Sequence, residues 1–251
     1  MSKDIAVVVG AGGEIGQFIT EALINAGQLV IGVGRSEASN ADLTAKFDTD
    51  CFRPLIADIG DDSSIEAIAA ALDAPVSMVV HSAGVPVAGG VKNVATDAVL
   101  NACNLKINGF IRLVRGVEGR LRTHSRLVAI GGHYGFEPSP YAATAGVGNA
   151  ALANLMRQMN WAYGPQGITA HMVAPGPADT ARMRRVADDR AKAAGSTGEA
   201  ELEKVRSESA IGQLTDPKAV GWACASLLAP EADAMAGSTM FLDAGRRKGL
   251  P

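Results

Sequence analysis

The sequence has no paired-cysteine pattern, no long apolar run and no surplus of positive charge, and each absence removes a class of function. Its three cysteines, Cys51, Cys103 and Cys224, are widely spaced and form no C-x-x-C. That argues against a disulfide framework or a zinc site, fits a reducing cytoplasm, and leaves no metal expected. No stretch approaches the ~18 apolar residues of a membrane span. The apolar IAVVVGAGG near the start is short and lacks a cleavage pattern, so it reads as a buried strand rather than a signal peptide. A formal net charge of −3 offers no general attraction to nucleic acid or to an anionic membrane. The short basic stretch Arg246-Arg247-Lys248 is expected to be a solvated tail.

What is present is a core for one domain. A length of 251 residues with 47% hydrophobic content supports a single unit, expected over 1–251. Short β-branched runs alternate with longer helical patterns. Strands are expected at 4–10, 29–33, 51–58, 76–84, 126–132, 167–176 and 237–245. Helices are expected at 14–27, after Asp61-Asp62-Ser63, at 97–121, from Tyr141 to Tyr163, and at 216–230, where Asp216 caps and Pro217 opens the first turn. Pro54 marks the third strand as irregular or near an edge. Seven strands alternating with helices predict a doubly wound, parallel Rossmann-type sheet with helices on both faces.

One segment departs in composition. Between Arg182 and Glu208, 13 of 27 residues are charged, seven basic and six acidic, against 20% for the chain. Exposed helices explain this, and so does a substrate-side flap, expected at about 177–212. Arg182, Arg184 and Arg185 would then attract an anionic substrate.

The first strand runs into the first helix through VVVGAGGEIG, with Gly10, Gly12, Gly13 and Gly16. Glycines in such a turn let the backbone approach a pyrophosphate held against the helix N-terminus. The second strand ends in Gly34-Arg35-Ser36, where an acid would suit NAD; an arginine favours the 2′-phosphate of NADP. NADP(H) is therefore expected ahead of NAD(H).

At this point the chain resembles the short-chain dehydrogenase/reductase family over nearly its whole length. GAGGEIG resembles the family's G-x-x-x-G-x-G turn, and Asp58-Ile59 its adenine-contacting pair. HSAG at 81–84 is similar to N-N-A-G, CNLK at 103–106 to V-N-L-x, YAATAG to Y-x-A-S-K, and the stretch ending VAPGPADT to V-x-P-G-x-x-x-T. The resemblance implies cofactor contacts from Gly10, Gly12, Gly13, Ile15, Gly16, Arg35, Ser36, Asp58, Ile59, Ala83, Gly84, Pro175, Gly176 and Thr180. It also implies a homodimer or homotetramer packed through the helices at 97–121 and 141–163. Glu14 departs from the pattern, since a carboxylate beside a pyrophosphate weakens binding unless it turns away. His81 departs too, and reads as a packed histidine at a strand end.

The family's catalytic set is Asn, Ser, Tyr and Lys. Tyr141 matches by position, and Asn104 matches by context, with Asn108 one turn later as a competitor. The serine position falls on Gly132 and the lysine position on Ala145. An unassisted phenol titrates near ~10, so the phenolate needed for alcohol oxidation is scarce at neutral pH, a deficit of roughly 4 kcal/mol. Carbonyl reduction uses the neutral phenol and loses less. His133, directly after the empty serine position, is expected to polarise or position the carbonyl. Three readings follow. The first is NADP(H)-dependent reduction of a small carbonyl compound. The second is a non-redox dehydratase or isomerase using Tyr141 and His133 as an acid–base pair. The third is a non-catalytic subunit that keeps only the fold.

Overall fold

Seven β-branched runs assemble into one parallel sheet in the computed structural model, which describes residues 3–85 and 89–249. The strands are β1 (Ile5–Val9), β2 (Leu29–Gly34), β3 (Phe52–Ile56), β4 (Val76–His81), β5 (Leu121–Ile130), β6 (Thr169–Pro175) and β7 (Thr239–Leu242). Their spatial order is β3-β2-β1-β4-β5-β6-β7. The helices are α1 (Gly16–Asn25), α2 (Ala41–Lys46), α3 (Ser63–Ala70), α4 (Thr96–Cys103), α5 (Gly109–Val117), α6 (Ala143–Tyr163), α7 (Ala181–Ala194), α8 (Gly198–Ser207) and α9 (Pro217–Ser226). The doubly wound fold expected from the sequence is the one observed, with Pro54 on the edge strand β3.

Both faces of the sheet are covered, and alternation along each strand divides the core in two. Ile5, Val7 and Val9 point into a cluster with Phe110, Leu113, Leu152 and Met156. Ala6 and Val8 point the other way, onto Ile19, Leu23 and Val220. From β1 the chain winds outward through β2 and β3, then returns to lay β4 along the other side of β1. The loops after β1 and β4 therefore diverge, which opens a crevice at the carboxyl end of the sheet.

Two expectations need correction and one refinement. The helix expected at 97–121 is present as one helical run from Thr96 to Val117, with a π turn at Asn104–Asn108 joining α4 to α5. The strand expected at 126–132 begins earlier, at Leu121. Its pairing with β4 shifts register between Val76 and Met78, and His124 adopts a φ of 67°. Ser125 closes this irregularity, its hydroxyl donating to the Val76 carbonyl and accepting from the Arg122 amide. The basic tail is also no free strand of charge. Arg246 pairs with Glu208 and donates to the Val205 carbonyl, Arg247 lies over the Phe241 ring at 3.8 Å, and the Lys248 amide donates to Glu137.

The charged segment forms α7 and α8, capped by the hydroxyls of Thr180 and Thr197. Most α8 charges pair on its own surface, as Arg206 with Glu199 and Lys204 with Glu201. Such exposed pairs contribute at most ~1 kcal/mol each. Among the described residues no helix is long and apolar enough to cross a membrane.

Candidate active site

The crevice holds two cavities that share Gly13, Ala83, Gly84, Val85 and Arg182 as walls. The outer one, 560 Å³, lies over the ends of β1 and β2; the inner one, 300 Å³, lies between the ends of β4 and β5 and the start of α6. Gly10 takes a φ of 76°, which lets the chain reverse after β1. A Cβ on Gly12 would meet the Ser39 carbonyl oxygen at 1.6 Å, so this glycine is what lets the loop after β2 close onto the turn. Asn40 secures that loop through Nδ2 donating to the Gly32 carbonyl at 2.8 Å, and its buried Oδ1 has no partner.

Most of the sequence-derived nucleotide residues converge here. Gly10, Gly12, Gly13, Arg35, Asp58, Ile59, Ala83 and Gly84 line the outer cavity; Gly13, Ile15, Gly16, Ala83, Gly84, Pro175 and Thr180 line the inner one. Ser36 and Gly176 line neither. The Ser36 hydroxyl is 3.0 Å from that of Ser39, and the Gly176 amide donates to the Leu242 carbonyl. Part of the loop after Gly84, residues 86–88, lies outside the described residues.

Glu14 lines the inner cavity and is held there by α7. Its two carboxylate oxygens accept from the Arg182 backbone amide at 3.1 and 3.2 Å, at the N-terminus of α7, where negative charge is favoured. The Arg182 side chain then reaches back across the crevice and donates to the Val85 carbonyl at 2.6 Å. The start of α7 is thus tied to both lips of the crevice.

The three catalytic candidates line neither cavity. Asn104 sits in the π turn, donates to the Gly60 carbonyl at 2.9 Å, and accepts from Asn108 and Arg112. Tyr141 precedes α6 and is 75% exposed. His133 is buried, its ring centroid 4.1 Å from that of Tyr134 with the two rings tilted by 37°. Burial, with repulsion from Arg246, holds its pKa down to about 4 against the pull of Asp243, Glu137 and the Pro175 carbonyl. At neutral pH it is uncharged. His81 is packed as expected, with burial and the nearby Lys106 lowering it to about 3.

Sequence reasoning named Arg182 as a charge for an anionic substrate but missed Lys106 and Asn149, which also line the inner cavity, beside the bare Ala145. Lys106 is buried and its Nζ donates to the Ile130 carbonyl at 2.8 Å. Desolvation, then repulsion from Arg182, lowers its pKa to about 8. Asn149 is buried and its Oδ1 has no partner.

A glycine-rich turn after β1, a crevice at the point where strand order reverses, and helices on both faces define the class: a doubly wound Rossmann protein. A family profile described as enoyl-(acyl carrier protein) reductase matches residues 10–247. The chain belongs to the short-chain dehydrogenase/reductase family, a family of oxidoreductases. It is 25% identical over 246 residues to the 3-oxoacyl-(acyl-carrier-protein) reductase of Escherichia coli, covering 96% of each chain. It is 27% identical over 256 residues to galactitol 2-dehydrogenase of Rhizobium johnstonii, covering 96% and 93%. In fold it matches the NADPH-bound short-chain oxidoreductase of Pseudomonas aeruginosa described as containing an atypical catalytic center. That match has a TM-score of 0.86 and 23% identity, and covers 100% of this chain and 99% of that one.

Proposed function

We propose that this chain is an NADP(H)-dependent reductase of a small carbonyl compound, acting in the cytoplasm. The observation that carries the reading is Arg35, at the end of β2 and in the wall of the outer cavity, where a carboxylate would be needed to prefer NAD. The residues fit a dinucleotide. Glycines line the phosphate side, and two buried amide oxygens, of Asn40 and Asn149, lack partners in the walls of the two cavities. Asp58 and Ile59 would hold the adenine end, Arg35 and Ser36 the 2′-phosphate, and Gly12, Gly13, Ile15, Gly16 and the α1 N-terminus the pyrophosphate. Ala83, Gly84, Pro175, Gly176 and Thr180 would flank the nicotinamide end. When bound, the reduced cofactor supplies a hydride to the carbonyl carbon.

The chain's own part is to exclude water, orient the carbonyl and deliver one proton. Asn104 acts by positioning, fixing the π turn against Gly60 and Arg112. His133, buried, neutral and outside both cavities, has no direct contact to offer the substrate there. The phenol of Tyr141 is the family's acid, yet here it stands outside both cavities. NADPH oxidation measured across a carbonyl panel for wild type and Tyr141→Phe tests the reading. Turnover by wild type supports a reductase, and equal rates in the variant remove the phenol from the mechanism.

A second reading, a nucleotide-binding subunit without chemistry, is favoured by Gly132, Ala145 and the exposed phenol. It predicts tight NADPH binding with no turnover on any panel member. For assembly, Leu100 on α4 and Val147 and Trp161 on α6 are large, apolar and exposed. Burying them in a homodimer or homotetramer through these helices accounts for that.

A further inference from the structure

Lys106 occupies a position where the helical stripe calls for an apolar side chain. Ala102, Lys106, Phe110, Leu113 and Val117 share the buried face of α4, the π turn and α5. A lysine that served only packing would run its stem along that face and put its amine in water. This one stays 6% exposed and ends at the inner cavity. The helix opposite is bare: a Cβ on Gly148 would lie 3.7 Å from the Lys106 Cγ, and Ala145 carries only a methyl group. The small side chains leave room for the stem to cross. An ammonium has three N–H groups, and the Ile130 carbonyl is the one acceptor of Nζ among the described residues. Asn149, in the same wall, keeps an unpartnered Oδ1. A ligand bringing one acceptor and one donor would satisfy both.

We propose that Lys106 is the general acid of this site, donating a proton from Nζ to the carbonyl oxygen of the substrate. The inference rests on the reductase reading. With the hydride that a bound reduced cofactor would supply to the carbonyl carbon, the C=O π pair would move to oxygen. One Lys106 N–H bond breaks, one O–H bond forms, and the neutral amine left behind is reprotonated from solvent. The charges facing the amine fit the role. Arg182 from α7 repels it, Glu14 from the turn before α1 lines the same cavity, and His81 on β4 is uncharged at neutral pH. The remaining walls offer the uncharged Ile130 carbonyl from β5 and the Asn149 amide from α6. With its pKa lowered to about 8, the amine is protonated at neutral pH and a stronger acid than an ordinary lysine.

The test combines two measurements on the full chain. Reactivity of each lysine toward acetic anhydride is read by mass spectrometry against pH, with and without NADPH. NADPH oxidation on the carbonyl panel is followed against pH for wild type, Lys106→Met and Lys106→Arg. The expected result is that Lys106 titrates near 8, well below the surface lysines, and that NADPH shields it. Wild-type kcat/KM falls above that pH, Lys106→Met loses ~100-fold or more in kcat while binding NADPH within about fivefold, and Lys106→Arg moves the fall to higher pH. Should Lys106→Met fail to fold, the Lys106→Arg profile decides. Lys106 titrating with the surface lysines, Lys106→Met within about threefold of wild type, or an unmoved profile in Lys106→Arg overturns the assignment and leaves the reductase reading standing. A wild type that binds NADPH but reduces no panel member overturns both.

Discussion

The Cβ that Gly132 lacks would lie 2.9 Å from Nδ2 of Asn149. The family's serine position and this asparagine therefore compete for one space, and the glycine is the complement of the amide. Restoring the serine alone should be harmful. Gly132→Ser is expected to destabilise by about 1–3 kcal/mol through overpacking, and Asn149→Ala in the same chain should recover most of that loss. Urea denaturation of the two single variants and the double variant measures the coupling. Additive effects would contradict the shared space.

The Glu14 carboxylate and the Arg182 amide join the glycine turn to the start of α7. Removing the carboxylate exposes the α7 amide and frees the segment locally, at about 1.4 kcal/mol, the low end for a half-buried charge-assisted bond. Glu14→Ala should speed proteolytic cleavage within residues 181–194 by ~10-fold, with the global melting temperature within about 2 °C of wild type. Unchanged cleavage would show that α7 is held by other contacts.

His81, His133 and His171 are buried with pKa values held down to about 3, 4 and 4. Each is neutral in the folded chain and titrates near ~6.5 in the unfolded one. Between those values the unfolded state binds more protons, so stability is full above ~6.5 and lost as pH falls toward the folded values. Between pH 6.5 and 5 the three together should cost about 5 kcal/mol, read as a falling urea midpoint. A midpoint flat across that window would mean that the rings open to solvent.

The sheet was legible because β1 is a continuous apolar run and β4 is interrupted only by Ser77 before His81, and the crevice because four glycines follow β1. Arg35 was legible as a crevice residue because it directly follows β2. The inner-cavity wall was not. Reading Gly132 and Ala145 as losses missed that Asn149 and Lys106 enter from positions the family pattern does not use. A signal for Lys106 existed, a lysine interrupting the apolar stripe that runs from Ala102 to Val117. It cannot be weighed without knowing whether the amine escapes to water. The π turn at 104–108 was illegible for a related reason: Asn104 is bound to Gly60 and Arg112, residues distant in sequence from each other. The tail was misjudged because Glu137 and Phe241, which hold it, lie elsewhere in the chain.

The central claim is that the crevice holds a phosphorylated dinucleotide gripped by Arg35. Trp161 and Trp222 are both exposed and line neither cavity, so calorimetry is a better probe than intrinsic fluorescence. Wild type titrated with NADPH and with NADH should bind NADPH at least ~10-fold more tightly, a charge-assisted contact of about 1.5–3 kcal/mol. Arg35→Ala should erase that preference while leaving NADH affinity within about threefold. Equal affinities in wild type, or no heat with either nucleotide, would contradict the account.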